Sequence, residues 1–386
     1  MNNHSTLFNN LMRFVVSSGI RFHDLRVQAT FVWALVGLII SQTTHLNVWS
    51  LHRPGASQAA SKERQLSRWL HNEKIVPAVV YGPLLARVLA EWAGETLYLA
   101  LDTSQLWQRF VIVRLALVYR GRALPLGWVV CAGKSATVAV VCYQRMLTEV
   151  AERIPGSSRV VLLADRGFMD VKLMQLARQL RWHFRIRVKS SVYVYRATYS
   201  RRTVAALMPS PGQARFFSHI WLTEQRFGPL HLALAYVQSR QGYLRWAVVS
   251  DEPVGLQTFD EYGLRFDIEE NFLDDKSAGF QLEASQLEAA QAISRLCLLI
   301  ATATLYLVST GTALVEMGRR HLVDTHWQRG LSYLQIGWRW VKRAVTGKER
   351  LLDFLWLTPG PDPDPAMASY RQFYAPDLRL VRMESL

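Results

Sequence analysis

The chain has 386 residues, of which 50% are hydrophobic, and carries 45 Lys+Arg against 30 Asp+Glu. That length and apolar content exclude a disordered chain and allow two or three domains with at least one large core. A formal net charge of +15 calls for a polyanion, nucleic acid before an anionic membrane surface, unless the protein is simply basic and soluble.

Residues 1–92 read as a helical N-terminal domain, from "DLRVQATFVWALVGLII" and "KERQLSRWLHNEKIVPAVVYGPLLARVLAEW". Residues 1–75 hold eight bases and three acids, which suits a DNA reader, although no helix-turn-helix stands out. A dimerisation or packing module fits equally. The N-terminus has no apolar h-region, so secretion is not expected. Three cysteines (Cys131, Cys142 and Cys297), without a C-x-x-C pair, argue against structural zinc and disulfides and fit a reducing cytoplasm.

The texture then turns to strands: "ETLYLALDTS", "RFVIVRLALVYR", "RALPLGWVVCAG", "SRVVLLADRGF" and "WHFRIRVKSSV". Helices are expected at "AVVCYQRMLTEVAERIP" and "DVKLMQLARQLR", giving the order β-β-β-α-β-α-β. The first three strands suit an antiparallel meander and the others suit helical crossovers. Residues 191–250 continue in basic, β-rich texture. Over 186–250 nine bases face one acid, with aromatics interleaved (Tyr193, Tyr195, Tyr199, Phe216, Phe217, Trp221, Tyr243, Trp246), a mixture suited to tracking a nucleic-acid backbone and stacking bases. The aromatics taken alone read as core.

Helical texture returns at Phe259. The apolar run Leu296–Val315 is long enough to span a bilayer, but its threonines, serine and glycine favour a buried core helix, and no membrane is expected. Residues 321–386 form a basic C-terminal region, suited to DNA binding or dimerisation, with a Pro-rich loop at "TPGPDPDPAMAS".

Within "YGLRFDIEENFLDDKSAGF", treated as one helix, Tyr262, Arg265, Glu269 and Lys276 fall within an arc of about 60°. Leu264, Ile268 and Phe272 make an adjoining apolar stripe, and Asp267, Glu270 and Asp274 read as a solvated face, with Asp275 apart from the active face. Glu270 points about 100° from Glu269, so Glu269 is the chosen carboxylate. Tyr262 and Lys276 would lie about 21 Å apart along the axis, a length suited to a polyanion, although ion pairing such as Arg265–Glu269 explains the same residues. Asp102 ends one apolar strand and Asp165 another. Acids at strand ends beside a core are where site residues are expected, and turn or cap roles are the alternative. Three carboxylates without soft ligands select Mg²⁺ or Mn²⁺, and such a site can hold two ions for in-line phosphoryl transfer.

Asp102 in "LALDTS", Asp165 in "LLADRGF" and Glu269 resemble the catalytic triad of bacterial insertion-sequence DDE transposases. The spacing Y-x₂-R-x₃-E-x₆-K at Tyr262, Arg265, Glu269 and Lys276 resembles the Tyr-Arg-Glu-Lys signature of one cut-and-paste group, insertion-sequence family four. The resemblance covers roughly residues 95–320. It implies an RNase H-like catalytic core (α/β, a mixed sheet flanked by helices) built from residues 93–190 and 251–320 and interrupted by residues 191–250 as a basic β-rich insertion. It implies that Asp102, Asp165 and Glu269 bind two Mg²⁺ ions, while Tyr262, Arg265 and Lys276 hold phosphates of the element end. The implied partners are double-stranded DNA, as terminal inverted repeats and target, and a second copy in a homodimer on paired ends. The implied setting is the bacterial cytoplasm at the nucleoid. Cleavage would release a 3′-hydroxyl and, in some members, pass through a hairpin. Trp221 and Trp246 are candidates for holding a flipped base, and Arg166 is a candidate phosphate contact. A non-catalytic DNA-binding derivative and another metal-dependent nuclease on the same core are the alternatives.

Overall fold

The computed structural model describes residues 3–197, 199–239, 242–276, 279–347 and 349–366. Residues 367–386 of the C-terminal region, Arg240 of the insertion and Lys348 lie outside the described residues, as do the side chains of Tyr199 and Tyr243.

Five helices come first: α1 (Asn3–Ser17), α2 (Leu25–Ser41), α3 (Leu46–Leu51), α4 (Ala59–Leu70) and α5 (Pro77–Ala90). Asp24 starts α2 by accepting the Arg26 N–H at 2.7 Å, the side-chain cap that a helix start requires. Strands β1 (Thr96–Leu106), β2 (Phe110–Tyr119) and β3 (Arg122–Ala132) form the expected antiparallel meander. Helix α6 (Val140–Ala151) leads to β4 (Arg159–Ala164), and α7 (Val171–Gln179) leads to β5 (His183–Arg187). Strand β4 runs parallel to both β1 and β5, as crossover connections dictate.

The chain between residues 191 and 250 forms β6 (Tyr193–Arg196), β7 (Tyr199–Thr203), the short α8 (Val204–Leu207), β8 (Ala214–Leu222), β9 (Phe227–Ser239) and β10 (Gly242–Ser250). These strands continue the core sheet. The end of β10 pairs with β5, so the order across one sheet is β3-β2-β1-β4-β5-β10-β9-β8-β6-β7. The meander followed by two parallel strands is the RNase H-like arrangement expected of the sequence. Beyond it come α9 (Gln257–Gly263), a 3₁₀ turn at Leu264–Phe266, α10 (Asp267–Lys276), α11 (Ala290–Glu316) and α12 (Tyr333–Thr346).

Alternation along β1 separates the two faces of the sheet. Leu97, Leu99 and Leu101 join a large core cluster with residues from Leu7 to Leu357, including most of α11. Ala100 points the other way and, with Ala116 and Ala123, forms a bed of small residues under Ile268 and Phe272 of α10. Helix α11 is apolar and long enough to cross a bilayer, yet its apolar window is wholly buried inside the protein. Its packing on α12 depends on two glycines. A Cβ on Gly311 would fall on the Tyr333 carbonyl, and one on Gly337 would fall on the Leu307 carbonyl.

Candidate active site

Asp102 and Asp165 meet because β1 and β4 are parallel neighbours. Their register pairs Leu101 with Ala164, so the next residue on each chain is the aspartate. Strand spacing sets the two backbones about 4.8 Å apart. Asp165 also caps the short turn Arg166–Phe168, accepting the Gly167 N–H at 2.6 Å. A side chain at 167 would crowd that carboxylate, since a Cβ there would lie 2.9 Å from Asp165 Oδ1. Arg166 is exposed beside it.

The segment carrying Glu269 is not the single helix expected from the sequence. It breaks into α9, the 3₁₀ turn and α10, and Arg265 lies on the turn. Arg265 is 4% exposed and bridges two of the acids. Its Nη1 donates to Asp102 Oδ2 at 2.7 Å and its Nη2 to Glu269 Oε1 at 2.7 Å. Burial pushes the Asp102 carboxyl up to about 6; the Asp165 and Glu269 charges add to the rise, and Arg265 and the Thr103 N–H oppose it. Burial works against the Arg265 charge, but Tyr262, Asp102 and Glu269 hold its pKa above the ordinary value. Glu269 remains half-exposed.

The other two signature residues take different places. Lys276 donates from Nζ to the Gln105 carbonyl at 2.6 Å, three residues beyond Asp102 on β1, and lies 3.5 Å from Glu283. Tyr262 is 0% exposed. It packs edge-on against Trp246 in a cluster that includes Phe259, with Phe266 alongside. Its hydroxyl finds no hydrogen-bond partner among the described residues. Trp246 is equally enclosed, so a base could not reach its ring in this arrangement, and Trp221 is half-buried. In the insertion, several arginines lie over aromatic rings of their own sheet: Arg201 on Tyr193 at 4.6 Å, Arg226 on Tyr195 at 5.1 Å and Arg196 on Phe217 at 5.6 Å.

Two of the three acids expected to form a solvated face, Asp267 and Asp274, are instead buried, and the third, Glu270, is half-buried. Asp267 and Asp274 are each 4% exposed, and Asp275 is 1% exposed. Glu270, Asp274 and Asp275 are partnered by arginines rising from the sheet beneath α10. Arg122 lies 3.2 Å from Glu270 and 3.1 Å from Asp274. Arg114 lies 2.6 Å from Asp275, donates to Asn271 Oδ1 at 2.7 Å and sits over the Phe272 ring. Arg114 is directly opposite Asp102 in the β1–β2 register, so the two share a face. Burial pushes the Asp275 carboxyl up against the opposing pull of Arg114, and burial with the neighbouring Asp275 and Glu270 pushes Asp274 up to about 7. The missed signal was Arg114 itself. An arginine in the middle of an apolar strand needs a buried acid, and the next helix over the sheet carries a surplus of them.

The donor set at the strand ends is hard oxygen throughout, which fits a divalent metal such as Mg²⁺. The observation that tests the fit is Arg265. Arg265, a buried cation, already holds one oxygen each of Asp102 and Glu269, so a metal would share those two carboxylates with it and bind through their other oxygens and Asp165. The acidic group whose ligand atoms lie within 4.8 Å of one another among the described residues is a different one, His183, Asp251 and Glu252. It lies at the start of β5, away from the Asp165 end of β4, and Glu252 is held by Arg159 at 2.6 Å and Arg185 at 2.9 Å. Those arginines already neutralise it.

Residues 103–306 match the family model of a transposase DDE domain, a match that begins one residue past Asp102 and takes in Asp165 and Glu269. A search of curated proteins finds no match. Among solved structures, the chain is similar to a piggyBac transposase in a synaptic complex with hairpin DNA, at 10% identity and a TM-score of 0.36, covering 95% of this chain and 86% of that one.

Proposed function

The chain belongs to the transposase DDE-domain family, and from that premise we propose that it cuts DNA at the ends of its element and joins them to a target, with Asp102, Asp165 and Glu269 as the catalytic carboxylates. One observation carries the residue assignment: Asp102 and Asp165 lie side by side on parallel strands while Arg265 ties Asp102 to Glu269. The three carboxylates would hold two divalent ions, Mg²⁺ or Mn²⁺, which when bound activate a water or 3′-hydroxyl and stabilise the leaving oxygen of an in-line displacement.

The protein's own part is positioning. Asp102 follows the buried strand residues Leu99, Ala100 and Leu101, and Asp165 is fixed by its turn, so both hold their carboxylates with little freedom. Arg265 orients Asp102 and Glu269 together through its planar fork. Lys276 is the signature cation nearest the open side of the site and would take a DNA phosphate, with Arg265 behind it. The buried, unpartnered Tyr262 hydroxyl would meet a phosphate oxygen only once the site opens around DNA. The net charge of +15 supports DNA as partner. Paired ends would be held by two copies of the chain, in the bacterial cytoplasm at the nucleoid.

The test uses DNA fragments spanning both flanks of the gene. Wild type with Mg²⁺ is expected to nick or cut at the flanking inverted repeats, and Glu269→Ala to lose cleavage by several orders of magnitude while binding the same fragments. Products resolved on a denaturing gel show both the cut and any hairpin. Normal cutting by Glu269→Ala overturns the site assignment.

A further inference from the structure

Residues 75–86 carry no charge, and Arg87 is the one charged side chain of α5. A helix apolar all round is normally buried all round. Helix α5 is not. Its inner side packs into the core through Val80, Leu84, Leu85 and Val88, while Val76, Val79, Pro83, Ala86 and Ala90 lie exposed. These five recur at alternating steps of three and four residues, the spacing of a helix-pairing seam, and fall within an arc of about 80°. Val79 alone is 69% exposed. Apolar surface continues on both flanks. On one side a Cβ on Gly19 would lie 3.1 Å from Pro83, and the end of α1 brings exposed Val16. On the other a cavity of 180 Å³ opens between α5 and α6, lined by Tyr81, Leu85, Leu126, Met146 and Val150. Cys142 also lines it, and Val141, next in the chain, is exposed. Four of the eleven large apolar side chains exposed among the described residues therefore gather around α5, a concentration that marks a contact surface.

The surroundings select the occupant. A nucleic acid needs cations, and the seam offers none. Arg87 is spent on the Ser17 carbonyl; across the cavity Arg145 pairs with Glu149 at 2.8 Å and Arg153 donates to the Glu149 carbonyl. A second copy fits. In a chain of net charge +15, two copies repel wherever basic surfaces meet, so a charge-free face is where they can touch. The ends of α5 add a direction. Exposed Lys74 precedes the helix and exposed Glu91 follows it. Glu73, beside Lys74, lies in the field of Arg295. Packed antiparallel across a two-fold axis, with Pro83 of each copy beside Ala86 of the other, the helices bring Lys74 of each copy to the end that carries Glu91 of the other. Parallel packing would set like charges together. Strand β1 begins at Thr96, just past α5, and reaches Asp102 about 20 Å further on, so this contact leaves both active sites open.

We infer that α5 is a dimer contact, pairing antiparallel with α5 of a second copy before DNA is bound. The inference deepens the two-copy part of the function proposed above, on which it rests for its role, and the tests separate the two. Sedimentation velocity of the full chain without DNA is expected to show a reversible dimer. Val79→Glu, which sets like charges into the seam, should weaken that dimer by at least about 100-fold. Its far-UV circular dichroism should stay that of wild type, because the side chain is exposed. Lys74→Glu and Glu91→Lys should each weaken the dimer about 5-fold, and the two together should restore it. In a Cys142→Ser background, Ala86→Cys should give a disulfide-linked dimer on mild oxidation, a readout that stands even where Val79→Glu fails to fold. A wild type that stays monomeric at its highest soluble concentration overturns the inference, as does a dimer unmoved by Val79→Glu. A wild-type dimer that Ala86→Cys does not link overturns the antiparallel pairing. Phosphatidylcholine vesicles that pellet monomeric wild type but not Val79→Glu would give the face to a membrane and likewise overturn it. A dimer that behaves as expected but cuts no flanking DNA leaves this contact standing and counts against the DNA reading, and a monomer that cuts does the reverse.

Discussion

Replacing Arg114 by methionine removes the cation that holds Asp275 and Asn271 to the sheet. Both members of the ion pair have side chains 1% exposed, so the loss leaves a buried carboxylate with no compensating charge. Breaking such a pair costs about 3–5 kcal/mol, and losing the Asn271 hydrogen bond adds about 1 kcal/mol. Asp275→Leu strands the arginine and should cost about 3–5 kcal/mol as well. The double variant fills the same space with apolar atoms and should recover most of the loss, giving a coupling of at least about 3 kcal/mol. Urea unfolding at pH 7, followed by tryptophan fluorescence for all four proteins, measures the cycle, provided the slope with denaturant is unchanged. If the double variant loses the sum of the single losses within about 0.5 kcal/mol, the pair does not act as a unit and this account of the interface fails.

Asp274→Asn probes the neighbouring acid, whose carboxyl is raised to about 7 by burial and by its acidic neighbours. A carboxyl raised above its unfolded value takes up a proton on folding, so stability falls as pH climbs from about 4 through 7. The asparagine variant should therefore gain on wild type between pH 5 and pH 8 in thermal melts, and a constant difference would refute the assignment. Gly337→Ala should cost about 1–3 kcal/mol through overpacking, because the new methyl group meets the Leu307 carbonyl of α11. Its melting temperature tests this, and an unchanged value would mean that α12 can shift without loss.

The meander, the crossovers and the positions of Asp102 and Asp165 were legible because periodicity and turn chemistry are local signals. The 3₁₀ turn at Leu264–Phe266 was not, since the same residues suit a continuous helix and only packing on the sheet selects the break. Helical direction assigns Asp267, Glu270 and Asp274 to solvent. The burial of Asp274, like that of Asp275, is matched by Arg122 and Arg114, more than a hundred residues earlier in the chain, and no helical pattern reports that. Trp246 stands with Trp221 as a candidate for holding a base, and its enclosure by Phe259, Tyr262 and Phe266 appears only in three dimensions.

The alanines beneath α10 reach further than their size suggests. Ala100, Ala116 and Ala123 carry no charge and no hydrogen-bonding side chain, yet they set how deeply Ile268 and Phe272 can seat. A valine at any of the three would act as a shim, lifting the helix that holds Glu269 while Asp102 stays fixed in its strand. The spacing of the acidic residues is thus written partly in methyl groups, and drift in this family could silence the chemistry without altering any residue that performs it.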